Sequence, residues 1–94
     1  MDSRIKGNMS DSNIENIRKK IREFVISNFH LEDGSKLSNE ISFLEEGIID
    51  SIGVLELVSF LEETFEFRVE DEEIIPDNFD SVDKLVIFVN SKLP

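Results

Sequence analysis

Only one histidine, His30, and no cysteine stand among the 94 residues of the chain. A Cys–His dyad, a thiolate metal site and a disulfide frame are therefore excluded, and a Ser–His–Asp triad would rest on a single imidazole. His30 follows the end of an apolar helical period, where an imidazole commonly meets terminal carbonyls, so capping explains it better than catalysis. Carboxylates are abundant, but paired acid/base chemistry needs a cleft that moves their pKa values apart. A chain of this length has little core in which to build one. Glu62-Glu63 and Asp71-Glu72-Glu73 could hold a divalent cation weakly, although a solvated face accounts for them better. Asp33-Gly34 lacks the alternating oxygen ligands of a calcium loop, since Phe29 and Leu31 precede it. No metal site is expected, and there is no glycine-rich phosphate loop. What remains is Phe43-Leu44-Glu45-Glu46-Gly47-Ile48-Ile49-Asp50-Ser51-Ile52. Alone, Asp50-Ser51-Ile52 reads as an ordinary capped helix start.

The elements that would position that serine can be read from apolar spacing. Met1 to Ser10 is polar with no apolar period, so residues 1–10 are expected to be a flexible tail ahead of a folded unit, residues 11–94. A first helix is expected from Asp11 or Ser12, with Ser12 and Glu15 as a capping box. Ile14, Ile17, Ile21, Phe24 and Val25 recur at helical spacing, and Arg18, Lys19, Lys20 and Arg22 form its solvated side. From His30 to Asp50 turn residues dominate, broken by Leu37, Ile41, Phe43 and Leu44, which should pin a long loop onto the helices. The second helix should run from Ser51 to Phe65 behind an Asp50 N-cap, burying Val54, Leu57, Val58, Leu61 and Phe65. A short helical segment near Glu70 to Ile75 should stop at Pro76. A last helix should begin at Asp80 or Ser81 and bury Val82, Leu85 and Val89. The fold class is all-α: a small four-helix bundle of three main helices and one short one, with a long loop between helices 1 and 2.

Charge narrows the functional classes. The chain carries 10 basic and 21 acidic residues, for a net charge of −11. The imbalance sits in the middle: residues 37–73 hold twelve acids and one base, whereas residues 1–36 hold six acids and seven bases. Such a field disfavours nucleic-acid and membrane-surface binding and steers basic protein surfaces inward. Simple solubility is an equal explanation for any single acid. No apolar run spans a bilayer and no secretory signal opens the chain, so a cytoplasmic protein is expected.

In combination the motifs are specific. Gly47-x-x-Asp50-Ser51-Ile52, followed by Leu57-Val58-x-x-Leu61-Glu62-Glu63-x-Phe65, resembles the acyl carrier protein family. The resemblance continues through Val69-x-x-Glu72-Glu73 and Phe79-x-Ser81-Val82-x-x-Leu85-x-x-Phe88-Val89. It covers most of residues 12–93 and is weakest in the first helix and the loop after it. It implies a non-catalytic carrier whose Ser51 receives 4′-phosphopantetheine from coenzyme A through a phosphopantetheinyl transferase. The arm would bring the thiol that the chain lacks. It also implies docking of acyl-loading and acyl-processing enzymes, with basic surfaces, on the second helix. The matching residues are Asp50, Glu56, Glu62 and Glu63, with Ile52 and Leu55 as outward apolar contacts. A monomer is expected.

Two departures bear on the pathway. Where fatty-acid-synthesis members place an acid and a Met, this chain has Gly53 and Ser59. Gly53, costing up to about 1 kcal/mol against Ala in a helix, would permit close approach of an arm or partner. The departures favour a stand-alone carrier in polyketide-like, nonribosomal-peptide-like or other specialised synthesis over a general fatty-acid role. Aminoacyl or peptidyl carriers and D-alanine carriers share the mechanism, but Ile49 stands where the peptidyl type commonly has a second Gly. From another class, an unmodified acidic helical adaptor would need no arm at all. A small hydrolase is nearly excluded by the residue inventory.

Overall fold

A computed structural model describes residues 2–29, 31 and 37–93, with side chains described from Asn13 onward. Its elements are α1 (Asp2–Asn28), α2 (Ser51–Phe65), a 3₁₀ turn (Asp71–Glu73), α3 (Pro76–Phe79) and α4 (Val82–Lys92). The described residues form an all-helical bundle in which α1 and α4 lie against each other and α3 leads directly into α4. Ile17, Ile21 and Val25 of α1 meet Leu57 and Leu61 of α2 and Val82, Leu85 and Val89 of α4 in the core. Each of these recurs at a spacing of three or four, which places them on one face of their helix. Rings extend this core: Phe24 stacks on Phe60 at 4.2 Å, and Phe88 meets Phe67 and Phe79 edge-on or tilted.

Three local expectations are corrected. The first helix begins at Asp2, not at Asp11 or Ser12, so the Ser12–Glu15 box caps no helix start. Once an anchored segment nucleates a helix, extending it costs little, and no proline stands ahead of Asp11 to stop it. Pro76 does not simply end a short helix. The segment before it is one 3₁₀ turn, closed by reciprocal capping between Glu70 and Glu73, and Pro76 opens α3 at the position where a missing N–H is harmless. Arg22 is not on a solvated face. Its guanidinium donates to the carbonyl of Leu37 and to Asn39 Oδ1 (2.9 Å), fastening the long loop to α1.

Of the apolar positions expected inside, Leu57, Leu61, Val82, Leu85 and Val89 are buried, while Val54, Val58 and Phe65 are half-buried. A bundle this small cannot cover both flanks of α2. Of the four residues expected to pin the loop, Leu37 and Phe43 are buried in the core, Ile41 is half-buried against it and Leu44 is exposed, while Ile49 is a further buried anchor. His30 and Asp33-Gly34 lie outside the described residues. No helix is long and apolar enough to cross a membrane among the residues described.

Candidate functional site

The start of α2 is built from a buried residue on either side of an exposed one. Ile49 is anchored in the core, Ser51 is exposed at the first helical position, and Gly53 is buried again. Asp50 caps the helix: its Oδ1 accepts from Gly53 N–H at 2.8 Å and its carbonyl from Val54 N–H at 2.9 Å. The loop arrives through Gly47, whose φ of +68° is in the left-handed region that glycine adopts without strain. Ile48 N–H then donates to the Phe43 carbonyl at 2.9 Å, closing the turn.

Gly53 has a packing role. A Cβ there would lie 2.8 Å from Phe29 Cε1 and 2.9 Å from Ile49 Cγ2. The close neighbour is thus the end of α1, and no arm or partner is needed to explain the glycine. The small residue lets α2 approach Phe29 while holding the Asp50–Ser51 step fixed.

The two donors that the helix ladder leaves beyond Asp50's reach are the N–H groups of Ser51 and Ile52. Together with the helix dipole they favour an anion at the Ser51 hydroxyl. After the Asp50 cap, the first turn of α2 holds no acid to oppose one. A hydroxyl that is exposed, carried on a rigid element and set in a field favouring a phosphodiester fits a phosphate-linked prosthetic group. Between α2, α3 and the loop lies a half-open apolar pocket of about 90 Å³ lined by Ile49, Val54, Phe43, Leu44, Phe79 and Ile74, among others.

The family model for the phosphopantetheine attachment site matches residues 19–89. The chain belongs to the acyl carrier protein family. It is 31% identical over 81 residues to the acyl carrier protein of Buchnera aphidicola subsp. Schizaphis graminum, covering 84% of this chain and 96% of that one. It is 28% identical over 79 residues to the acyl carrier protein of Buchnera aphidicola subsp. Acyrthosiphon pisum (strain 5A), covering 84% and 95% respectively. Acyl carrier proteins are non-catalytic, and their prosthetic group is a covalently attached 4′-phosphopantetheine. When bound, that group supplies the reactive thiol. This chain's own residues supply the attachment point, its orientation and the surface that enzymes meet. As an acyl carrier protein it interacts with a phosphopantetheinyl transferase and with acyl-processing enzymes.

The residues expected on the partner face separate into two groups. Ile52 and Leu55 are 68% and 60% exposed, and Asp50, Glu56 and Glu63 are exposed beside them. Glu56 also accepts from Asn28 Nδ2 at 2.8 Å, tying α2 to the end of α1. Glu62 departs from the expectation: it is half-buried and its Oε2 accepts from Val69 N–H at 2.9 Å, so it holds the chain leaving α2. Sequence reasoning missed the pocket residues Ile74 and Ile75. Their signal was an apolar pair set between an acidic run and Pro76.

Proposed function

We propose that Ser51 carries the 4′-phosphopantetheine arm and that the protein holds acyl intermediates on it as thioesters. The observation that carries this reading is an exposed serine at the first position of α2, behind the Asp50 cap, in the Asp-Ser-Ile order of the family. Transfer joins Ser51 Oγ to the phosphorus that bears pantetheine in coenzyme A. The old pyrophosphate bond breaks, and the adenine-bearing bisphosphate leaves with its electrons. The serine proton passes to a base of the transferase. Gly53 and Ser59 in place of the fatty-acid pattern support a polyketide-like or other specialised pathway, and Ile49 supports an acyl over a peptidyl cargo.

Docking rests on Ile52 and Leu55, ringed by Asp50, Glu56 and Glu63. Their acidic field supports partners with basic surfaces. Residues 11–94 are the carrier unit, acting as a monomer in the cytoplasm, and residues 1–10 are an extension that carriage does not need. Incubation of the intact chain with coenzyme A and a phosphopantetheinyl transferase tests the proposal. The mass should rise by one phosphopantetheine in the native chain and stay unchanged in Ser51→Ala. No gain in the native chain would leave the acidic helix as a plain adaptor surface.

A further inference from the structure

Resting on the docking reading of α2, we propose that Asn28 is a positioning residue that holds the Glu56 carboxylate ready for basic partners of the carrier. Asn28 ends α1, and its Nδ2 donates to Glu56 Oε1 at 2.8 Å. Both side chains are exposed, so the contact lies where an incoming enzyme can meet it. Glu56 stands five residues beyond Ser51, about 7.5 Å along the helix axis. A cation seated on it therefore fixes how far from the attachment point a partner comes to rest.

Two other acids of the helix are spent differently. Asp50 Oδ1 accepts from Gly53 N–H as the helix cap, and Glu62 Oε2 accepts from Val69 N–H. Each satisfies a backbone donor and so belongs to the fold. The Glu56 bond satisfies none. An exposed side-chain hydrogen bond replaces one to water and adds little to stability, so stability leaves it unexplained. Asn28 is also a neutral donor. It orients the carboxylate without cancelling its charge and, among the described residues, engages Oε1 alone.

The donor itself is fixed in place. Val25, a turn earlier, is buried in the core, and Phe29, the next residue, packs against the bare Gly53. Phe29 also meets Phe24 edge-on at 6.1 Å, and Phe24 stacks on Phe60 of α2 at 4.2 Å. The end of α1 is thus set against α2 on both sides of Asn28. A free glutamate on a helix loses rotamers when a partner seats on it, at a cost that lowers affinity about two- to tenfold. Asn28 removes that cost in advance.

The test follows arm transfer from coenzyme A to the intact chain by a phosphopantetheinyl transferase, varying carrier concentration and salt. Asn28→Ala should raise KM for the carrier about two- to tenfold at unchanged kcat, because only binding is affected. Its salt dependence should match the native chain, since no charge is lost. Asn28→Gln keeps an amide and should restore most of the native KM. Asn28→Lys would hold the carboxylate but neutralise it, so KM should rise with a flattened salt dependence. Glu56→Gln should raise KM in the native chain and by a smaller factor in Asn28→Ala, as coupled groups do.

A mere tie between helices would lower the melting temperature of Asn28→Ala and leave KM in place. That result overturns the proposal, as do Asn28→Ala and Glu56→Gln effects that simply multiply. Asn28→Ala should fold, since the side chain is exposed. If it does not, Asn28→Ser, whose hydroxyl falls short of Glu56, decides in the same way. A native KM that Glu56→Gln leaves unchanged overturns docking on Glu56, and the proposal with it. A native chain that gains no mass overturns the carrier reading itself, and this inference with it, before any rate is compared.

Discussion

Gly53→Ala puts the geometry of the Ser51 site under direct strain. On an open helix this change would stabilise by up to about 1 kcal/mol. Here the new methyl would lie 2.8 Å from Phe29 Cε1, 3.2 Å from Phe29 Cζ and 2.9 Å from Ile49 Cγ2. The Phe29 ring is half-buried and meets Phe24 edge-on at 6.1 Å, so it can yield by tilting. Ile49 is 4% exposed and one residue from the Asp50 cap, so it yields only by moving that cap. Overpacking of this kind costs about 1–3 kcal/mol. Set against the gain in helix propensity, the net expectation is a loss of about 1 kcal/mol. Urea unfolding followed by the helical circular dichroism signal should show a lower midpoint at an unchanged slope. Amide resonances of Asp50 to Ile52 should shift as well. A stabilised Gly53→Ala with unmoved Asp50 resonances would refute the crowding argument.

Three further outcomes follow from packing and charge. Leu61 of α2, fully buried in the core, should cost about 2–5 kcal/mol when cut to Ala, read by the same urea titration. Glu73 accepts from Glu70 N–H and from Lys92 Nζ, in that order of effect, and its carboxyl is held below the ordinary glutamate value. A depressed folded-state pKa stabilises above the unfolded value and is lost as pH falls through the folded one. Acid unfolding of Glu73→Gln should therefore show a shallower loss over that acid range than the native chain. Glu56→Lys with Glu63→Lys should slow modification by the transferase several-fold at low salt, with the gap closing as salt rises. Glu62 is left out of that pair because its carboxylate caps Val69, and an unaltered rate at every salt concentration would remove the acidic face from docking.

Much of the framework was legible because its signals are local. Asp50 accepts from the backbone N–H three residues on, as its type and place suggested, and of Asp80 and Ser81, between which the start of the last helix was left open, it is Ser81 that caps α4. The apolar spacing of α2 and α4 identified Leu57, Leu61, Leu85 and Val89 as core. Where the cause is long-range, the sequence was silent or misleading. Arg22 looked like one charge in a solvated row, yet its partners are the Leu37 carbonyl and Asn39 across the loop. Pro76 was read for what it forbids upstream, while its fixed φ equally favours the start of α3. The early start of α1 had no capping signal to announce it, because elongation needs none. The pocket could not be seen either: Phe43, Ile74 and Phe79 meet only after the loop folds back on the α3–α4 junction.

The central claim is that Ser51 is the attachment residue, and the most direct measurement is peptide mapping of the protein isolated from its own host. The peptide containing Asp50-Ser51-Ile52 should carry the phosphopantetheine adduct, with fragmentation placing it on Ser51. Finding the adduct on Ser59 or Ser81, or finding every serine unmodified, would contradict the account.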